Sequence, residues 1–369
     1  MKRRLNPSAI LRTYGILIAL ALLVVVVTAV QPTFLAYHNL MNILSQWAPT
    51  GIMALGMTYV IITGGFDLSI GAIYTLSGVT AAGLGRSHSV LLAFAAGVSI
   101  AAVLGFLNGT LVNFGRINPF IATLGTSFAI TGLTLVATNN VAFVVSNPDF
   151  GQLGAGRWQG VPYSGLLLVT LVVVGGLVLS RTVYGQKIYA VGGNSEASRL
   201  SGIRVHWTSI SAYVLSGLSA GLAGVISASQ LSSAQPTENS TVVFDVITIV
   251  VVGGTSLAGG FGAIWRTVVG LTLLATLQNG FNLLNINPNY QNIVKGVIIV
   301  GALALDSVGS RMSQSRAAKR RTAGASRHAA PSDETTSGAA SSEVSNPGSN
   351  LPEALNGIGA VQQSGIRQQ

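Results

Sequence analysis

The chain has 369 residues, of which 49% are hydrophobic and 8% are charged; an ordinary soluble domain has about 25% charged residues, so these charges are too few to cover a water-soluble fold. The composition predicts an integral membrane protein, and the absence of cysteine excludes disulfides and thiolate metal sites. A net charge of +10 would favour nucleic-acid binding in a soluble protein, but here Lys and Arg lie near the two ends and in short segments between apolar runs, as in cytoplasmic loops.

Ten apolar segments are long enough to cross the hydrocarbon layer as helices, which satisfy their own backbone hydrogen bonds. The predicted spans are 13–30, 48–63, 68–84, 90–107, 119–137, 163–180, 208–228, 243–258, 267–285 and 290–307. The first is interpreted as an uncleaved helix, because the run from Tyr14 to Val30 has no cleavage site of the A-x-A type at its end. We expect an all-α polytopic membrane domain over 13–309 with about ten transmembrane helices, preceded by a cytoplasmic N-terminus at 1–12.

The positive charges predict the orientation of these helices. With the N-terminus inside, 17 Lys and Arg residues fall in cytoplasmic segments, whereas the outer loops hold only Arg86 and Arg157. This asymmetry predicts a multi-pass protein of the cell membrane with both termini cytoplasmic. Lys295 falls within the last span, from which it can snorkel outward.

From about Ser310 the composition changes to Ser, Ala, Gly, Arg and Pro. Such a segment buries too little apolar surface to offset the entropy of ordering, so we expect a disordered cytoplasmic tail over 310–369. Its basic cluster, Lys319 to Arg321, is interpreted as a topology signal. Binding of anionic headgroups or nucleic acid is the alternative.

The longest internal polar segment, 181–207, lies on the predicted cytoplasmic side and contains the signals of a short helix. Asn194 or Ser195 can cap its start. Glu196 is favourable in the first turn, and Gly202 supplies a left-handed stop. Two helical turns are too short to be stable alone, so we expect this helix to dock on a partner; a solvated loop helix is the alternative.

Asp67 lies between two apolar spans, directly after Gly64 and Gly65. A carboxylate at membrane depth costs about 2.5–3.5 kcal/mol at a helix centre, so it should be paired, capped or near water. Its side chain can accept backbone hydrogen bonds from Ser69 and Ile70, which predicts that Asp67 is the N-cap of the third helix. A substrate or proton site is the alternative.

The segment 251–270 contains two Gly-Gly pairs between the eighth and ninth spans. The run from Gly259 to Gly262 is not a phosphate loop, because no lysine in the chain is followed by Ser or Thr. The four histidines are scattered without metal-ligand spacing. We therefore expect no catalytic residues, metal or cofactor in this chain, and no nucleic-acid partner.

Five segments carry a family resemblance. In chain order they are TGGFDLSIGAIYTLSGV, INPFIATLGTSFAITGL, YGQKIYAVGGNSEASRLSGI, DVITIVVVGGTSLAGGFGAIW and LQNGFNLLNINPNYQNIVKG. In order and spacing they resemble the ribose/xylose/galactose-type ABC permeases over residues 40–306. The resemblance implies a fold like that of type II ABC importer permeases, within the branched-chain amino acid permease superfamily.

The resemblance also implies a function and a set of partners. It implies import of a monosaccharide or similar small polar solute, energised by two cytoplasmic subunits that bind ATP and magnesium. A second permease subunit, identical or different, and an extracytoplasmic solute-binding protein would complete the assembly in membrane lipid. Nucleosides, autoinducer-like sugars and branched-chain amino acids are alternative substrates, and an ion-coupled secondary transporter is the rival class.

By the same resemblance, the short helix in 181–207 couples the ATPase subunits to the membrane helices. The expected contact residues are Gly193, Asn194, Ser195, Glu196, Ala197, Arg199 and Leu200. The residues expected to cap helices or line the pathway are Gly64, Gly65, Asp67, Ser69, Asn118, Pro119, Thr123, Asp245, Gly253 and Gly254. The chain departs from the family pattern at Thr131, Val243 and Arg266, and the first two changes leave the identity of the sugar open.

Overall fold

The computed structural model describes residues 7–237, 241–298 and 300–301, all within one structural unit, Met1–Arg316. The predicted tail at 310–369 and most of the predicted N-terminus at 1–12 lie outside the described residues. The helices are α1 (Pro7–Val30), α2 (Tyr37–Ile62), α3 (Ile70–Gly85), α4 (Val90–Asn113), α5 (Pro119–Thr138), α6 (Gln152–Ala155), α7 (Tyr163–Arg181), α8 (Val183–Gly193), α9 (Ser195–Leu200), α10 (Val205–Leu231), α11 (Thr241–Val252) and α12 (Ile264–Leu283). Residues 288–298 are helical as well.

Each of the ten predicted spans overlaps a helix of the structure, and residues 299 and 302–307 of the tenth lie outside the described residues. Among the described residues, α4, α5, α7 and α10 are long and apolar enough to cross a membrane, while 15–30, α3 and α11 are shorter apolar helices. The second predicted span began too late, because the helix starts at Tyr37. The eighth ended too late, because α11 stops at Val252, directly before Gly253. The all-α prediction is thus confirmed in its main part, as a mostly helical chain with strongly apolar helices.

Helix α2 continues through Pro49, a residue that usually breaks a helix. Proline has no N–H, so the carbonyl four residues earlier, on Ser45, loses its intrahelical partner. The side-chain amide of Gln230 on α10 donates a hydrogen bond to this carbonyl at 2.9 Å. A neighbouring helix therefore satisfies the freed backbone group, which is how proline is tolerated inside membrane helices.

Helix α10 is the most deeply buried of the four apolar helices and packs on α2, α3 and α4. Glycine allows the close approach of α4. A Cβ atom on Gly105 would overlap the carbonyl of Tyr213, and one on Gly217 would overlap the carbonyl of Ala101. Small residues at helix crossings permit such backbone contact in the absence of a hydrophobic driving force.

Two short antiparallel strand pairs lie in the connections. The pair β1 (Phe143–Val144) and β4 (Ser233–Ala234) joins the segment after α5 to the end of α10. The pair β2 (Arg157–Trp158) and β3 (Val161–Pro162) closes a tight turn before α7. These strands and the one-turn helix α6 were not predicted, since two-residue strands leave no alternating hydrophobic pattern to read.

Candidate functional site

Helix α2 ends in a two-glycine cap. The N–H of Gly64 donates to the carbonyl of Ile61 at 2.9 Å, and the N–H of Gly65 donates to that of Val60 at 3.0 Å. Gly64 has φ +81°, a left-handed conformation that glycine adopts without a steric penalty. The arrangement is a Schellman motif, so Gly64 and Gly65 cap the C-terminus of α2.

Helix α11 ends in the same way. The N–H of Gly254, at φ +89°, donates to the carbonyl of Val251 at 2.8 Å, and the N–H of Thr255 donates to that of Val250 at 3.2 Å. A Cβ atom on the preceding Gly253 would stand 2.6 Å from the carbonyl oxygen of Arg266, so glycine is also needed there for packing. Gly253 and Gly254 therefore terminate α11 and bring it against the start of α12.

The ends of α2 and α8 meet the α11–α12 turn through backbone atoms. The N–H of Gly260 donates to the carbonyl of Ile62 at 2.8 Å. A Cβ atom on Gly192 would overlap that same carbonyl oxygen, and one on Gly259 would stand 3.0 Å from the Cα of Gly64. We call this contact of Ile62, Gly64, Gly192, Gly259 and Gly260 the glycine junction. It joins three segments that are far apart in sequence.

Helix α9 follows the glycine junction directly. Asn194 is its N-cap, and the Asn194 Oδ1 accepts a hydrogen bond from the N–H of Ala197 at 2.9 Å. After Leu200 the chain reverses at Gly202, which has φ +82°. The short helix predicted within 181–207 is therefore present, with Asn194 rather than Ser195 as its cap.

The side chains of α9 are mostly exposed. Glu196 and Arg199 form two hydrogen bonds at 2.6 and 3.1 Å, with side-chain exposures of 66% and 62%. The hydrogen bond and the charge of Arg199 lower the pKa of Glu196. Leu200 is 75% exposed, although it is large and apolar. All seven predicted coupling residues are exposed: Gly193, Asn194, Ser195, Glu196, Ala197, Arg199 and Leu200.

Asp67 is fully buried and accepts three hydrogen bonds. Its Oδ1 accepts from the N–H of Ser69 at 3.0 Å and from the Ser69 hydroxyl at 2.5 Å, and its Oδ2 accepts from the Ser216 hydroxyl on α10 at 2.7 Å. The Asn108 amide on α4 donates to the Ser69 Oγ at 2.6 Å. The carboxylate therefore joins the α2–α3 loop to α10 and, through Ser69, to α4.

The prediction that Asp67 is the N-cap of α3 is wrong. Ser69 is the N-cap of α3, and it makes no capping hydrogen bond with its side chain. Asp67 lies two residues earlier, where its hydrogen bond to the Ser69 N–H closes a local turn. Its second oxygen is bound by Ser216, a partner that lies on another helix and has no sequence signal near Asp67.

Helix α5 also contacts the α2–α3 loop, which contains Asp67. Asn118 caps α5 by accepting from the N–H of Phe120 at 2.9 Å, and Pro119 occupies the first turn. One turn on, the Thr123 Oγ1 accepts from the N–H of Leu68 at 3.0 Å. The hydroxyl of Tyr213 on α10 donates to the carbonyl of Phe66 at 3.1 Å. The backbone of the loop is thus tied to two helices.

Asp245 and Lys295 form an ion pair at 3.1 Å between α11 and the helical segment 288–298. Their side chains are only 14% and 16% exposed. Lys295, which could snorkel outward from its position in the sequence, is instead held in a packing contact inside the bundle. Asp245 lies inside α11, so it does not cap the helix.

Sequence reasoning missed Asn108, Tyr213 and Ser216. Asn108 lies inside α4 and the other two inside α10, and each bonds to the 66–69 loop or to its Ser69. Their common signal is that a polar side chain at membrane depth needs a partner. The sequence does not say which residue that partner is.

Long apolar helices, polar groups paired inside the helix bundle, and an exposed polar segment between two of the helices together define a multi-pass membrane protein. Residues 39–303 match the family described as "Branched-chain amino acid transport system / permease component". The chain belongs to this family of transport permeases.

Individual relatives agree with the family. The chain is 43% identical over 310 residues to the ribose import permease protein RbsC of Escherichia coli (strain K12), covering 83% of this chain and 97% of the relative. It is 42% identical over 308 residues to RbsC of Bacillus subtilis (strain 168), with 83% and 96% covered. It is 35% identical over 294 residues to the L-arabinose transport system permease protein AraH of E. coli (strain K12), with 79% and 90% covered. No solved structure matches the chain significantly.

Proposed function

We propose that this chain is the membrane-spanning subunit of an ATP-driven importer that carries a monosaccharide into the cytoplasm. The observation that carries the proposal is the match to two ribose import permeases over 96–97% of their length. The similar L-arabinose permease is named for another pentose. A pentose is therefore the first substrate to test, and a branched-chain amino acid, which the family description names, is the second.

The proposed topology has ten spans with both termini in the cytoplasm. It is supported by the described helices, which overlap the predicted spans, and by the predicted placement of 17 Lys and Arg residues on one side against two on the other. In this topology α8, α9 and the glycine junction lie on the cytoplasmic side. Introduced cysteines test it cleanly because the chain has none: a membrane-impermeant maleimide should label Ser87→Cys from outside, and Ser201→Cys only after the membrane is opened.

Helix α9 is the proposed contact for the ATPase subunits. It presents an exposed surface that includes Leu200, and it is too short to be stable without packing. It follows α8 after the single residue Asn194, so a displacement of α9 acts first on Gly192 and the glycine junction. Through Ile62 and Gly260 the displacement would reach both the loop around Asp67 and the α11–α12 turn.

The proposed mechanism is alternating access through the connection between α9 and the glycine junction. ATP-driven closure of the ATPase subunits would move α9, and the glycine junction would transmit the movement to α2 and α11. The hydrogen bonds of Asp67, Thr123 and Tyr213 would keep the α2–α3 loop fixed to α10 and α5, so that these helices move together. A second permease subunit and an extracytoplasmic solute-binding protein would complete the transport path.

An ion-coupled secondary transporter is the second candidate. The Asp245–Lys295 pair favours it, because ionisable residues at membrane depth mark ion and proton pathways in many transporters. The pair is satisfied internally, however, and the relatives are named as import permeases or parts of transport systems. We therefore assign it a structural role in the importer.

The deciding experiment is affinity purification of the chain from its native membranes, with mass spectrometry of the proteins that accompany it. We expect an ATPase subunit and a solute-binding protein. The complex should then be reconstituted in vesicles and given radiolabelled ribose, arabinose or leucine. ATP-dependent uptake of a pentose supports the proposal, whereas uptake by the chain alone under an ion gradient overturns it.

A further inference from the structure

A groove of about 460 Å³ lies on the outer surface of the helix bundle, between α4, α7, α8 and α10. It is open along one side, and its walls are almost entirely apolar. Among the lining residues, the hydroxyls of Tyr184 and Ser211 form a hydrogen bond at 2.9 Å. The residues that carry the argument below are Phe106, Val178, Tyr184, Trp207, Ser211 and Val214.

Three cations lie close in sequence to residues that line this groove. Arg181, Lys187 and Arg204 are each three residues from a lining residue, namely Val178, Tyr184 and Trp207 respectively. Residues three apart lie on the same face of a helix, so Arg181 on α7 and Lys187 on α8 share the faces of their lining neighbours. Arg204 is the N-cap residue directly before α10. All three side chains are exposed, and within the described ranges none of them takes part in an ion pair.

An aromatic cluster lies where α4 ends and α10 begins. The ring of Phe114 lies 6.0 Å from that of Trp207 and 5.4 Å from that of His206, measured between centroids. Tryptophan is enriched where the hydrocarbon layer meets the headgroups. The apolar walls would then face acyl chains, and the cations would face headgroups.

We propose that the groove binds an anionic phospholipid of the cytoplasmic leaflet. One acyl chain lies along Phe106, Val178 and Val214, and the phosphate lies among Arg181, Lys187 and Arg204. Basic pockets between membrane helices on the cytoplasmic side recognise anionic headgroups in this way. The choice of leaflet rests on the orientation given under the proposed function.

The charges favour a lipid over a second copy of the chain. A second copy that covered this surface through its described residues would offer few free carboxylates to the three cations. Of the carboxylates in the described part of the chain, Asp67 and Asp245 are bonded internally and Glu196 is paired with Arg199. Asp149 lies in the connection between α5 and α7, at the opposite side in the proposed topology. A phospholipid supplies both the negative charge and the apolar chain.

The bound lipid would stabilise α8, which connects α9 to the glycine junction. The groove is lined by α7, α8 and α10, and α8 leads directly to Gly192 in the glycine junction. A lipid held between α8 and α10 therefore fixes the position from which movement of α9 is transmitted.

The test is native mass spectrometry of the purified chain titrated with phosphatidylglycerol or phosphatidylcholine. We expect the chain to retain phosphatidylglycerol preferentially. The triple variant R181Q/K187Q/R204Q should lose this preference, with each removed charge lowering retention about fivefold. The matched control is Arg266→Gln, which removes a cytoplasmic charge whose guanidinium already lies 5.0 Å from the rings of Phe261 and Trp265; retention should be unchanged.

A second variant, Val214→Trp, fills the groove and leaves the cations in place. It should lower retention of phosphatidylglycerol as well. Unchanged retention in Val214→Trp would place the acyl chain elsewhere and overturn the proposal. An equal loss of retention in Arg266→Gln would also overturn it, because it would indicate attraction to surface charge in general. Loss of a permease dimer in Val214→Trp would instead make the groove an interface between copies. The assay needs neither substrate nor ATPase, so failure of the proposed transport function leaves its result interpretable.

Discussion

Gly192 lies against Ile62 so closely that any side chain on Gly192 would occupy the position of the Ile62 carbonyl oxygen. That oxygen is already bound by the N–H of Gly260 at 2.8 Å. A Cβ atom on Gly192 would also stand 2.6 Å from the nitrogen of Gly260. The contact between the α8 end and the α2 end therefore depends on the absence of a side chain, and it can be broken with a single methyl group.

Gly192→Ala should reduce transport by separating α8 from the glycine junction. We expect ATP-driven uptake to fall about tenfold, which corresponds to about 1.4 kcal/mol in the activation free energy. The control is Gly125→Ala on α5, because a Cβ atom there meets nothing within 4 Å. Uptake should be compared with thermal unfolding of both variants in detergent. Equal uptake by the two variants would contradict the role of the junction.

Glu196 and Arg199 should be needed for coupling and not for folding. Both side chains are exposed, so replacing them with alanine should leave membrane insertion and thermal stability nearly unchanged. Transport-coupled ATPase activity should fall, because the surface offered to the ATPase subunits has changed.

A charge swap separates two explanations for such a loss. The double variant Glu196→Arg with Arg199→Glu keeps an ion pair within α9 but reverses the charges presented to a partner. It should remain uncoupled if α9 docks on the ATPase. Full activity of the swapped variant would reduce the pair to a local stabiliser of the helix.

Replacing Asp67 should lower the stability of the protein rather than its affinity for substrate. Asp67→Ala removes the acceptor of three buried hydrogen bonds. Since each buried donor left without a partner costs about 1–3 kcal/mol, we expect the free energy of unfolding to fall by about 3 kcal/mol, and by about 1 kcal/mol in Ser216→Ala. Thermal unfolding and the KM for uptake distinguish the roles. A raised KM at normal stability would indicate a substrate site instead.

The sequence was sufficient for features that depend on neighbours along the chain. Apolar length predicted the apolar helices among the described residues, and capping chemistry predicted α9, because Asn194 and Gly202 act within one helical turn of their own positions. The contacts made across the fold were not predictable in this way. Asp67 binds Ser216 across 149 positions, and Lys295 binds Asp245 across 50, and nothing in either local sequence selects the partner.

The glycine junction illustrates the same limit in a different form. The pairs at 64–65, 192–193, 253–254 and 259–260 are visible in the sequence, and turn chemistry explains the positive φ of Gly64, Gly254, Gly259 and Gly260. Gly192 does not have a positive φ. It is glycine because another backbone lies against it, which only the packing of α8 on α2 reveals.

Variants of the Asp245–Lys295 pair can distinguish an importer from an ion-coupled transporter. Removing one partner of a buried ion pair costs about 3–5 kcal/mol, because the remaining charge is left uncompensated. Asp245→Asn and Lys295→Met should each be strongly destabilised, and the double variant should recover most of the lost stability. If the pair is structural, the double variant retains ATP-driven uptake once it is folded. If the pair relays ions, the double variant is stable but inactive, so measuring uptake and thermal unfolding in the same preparation decides between the two classes.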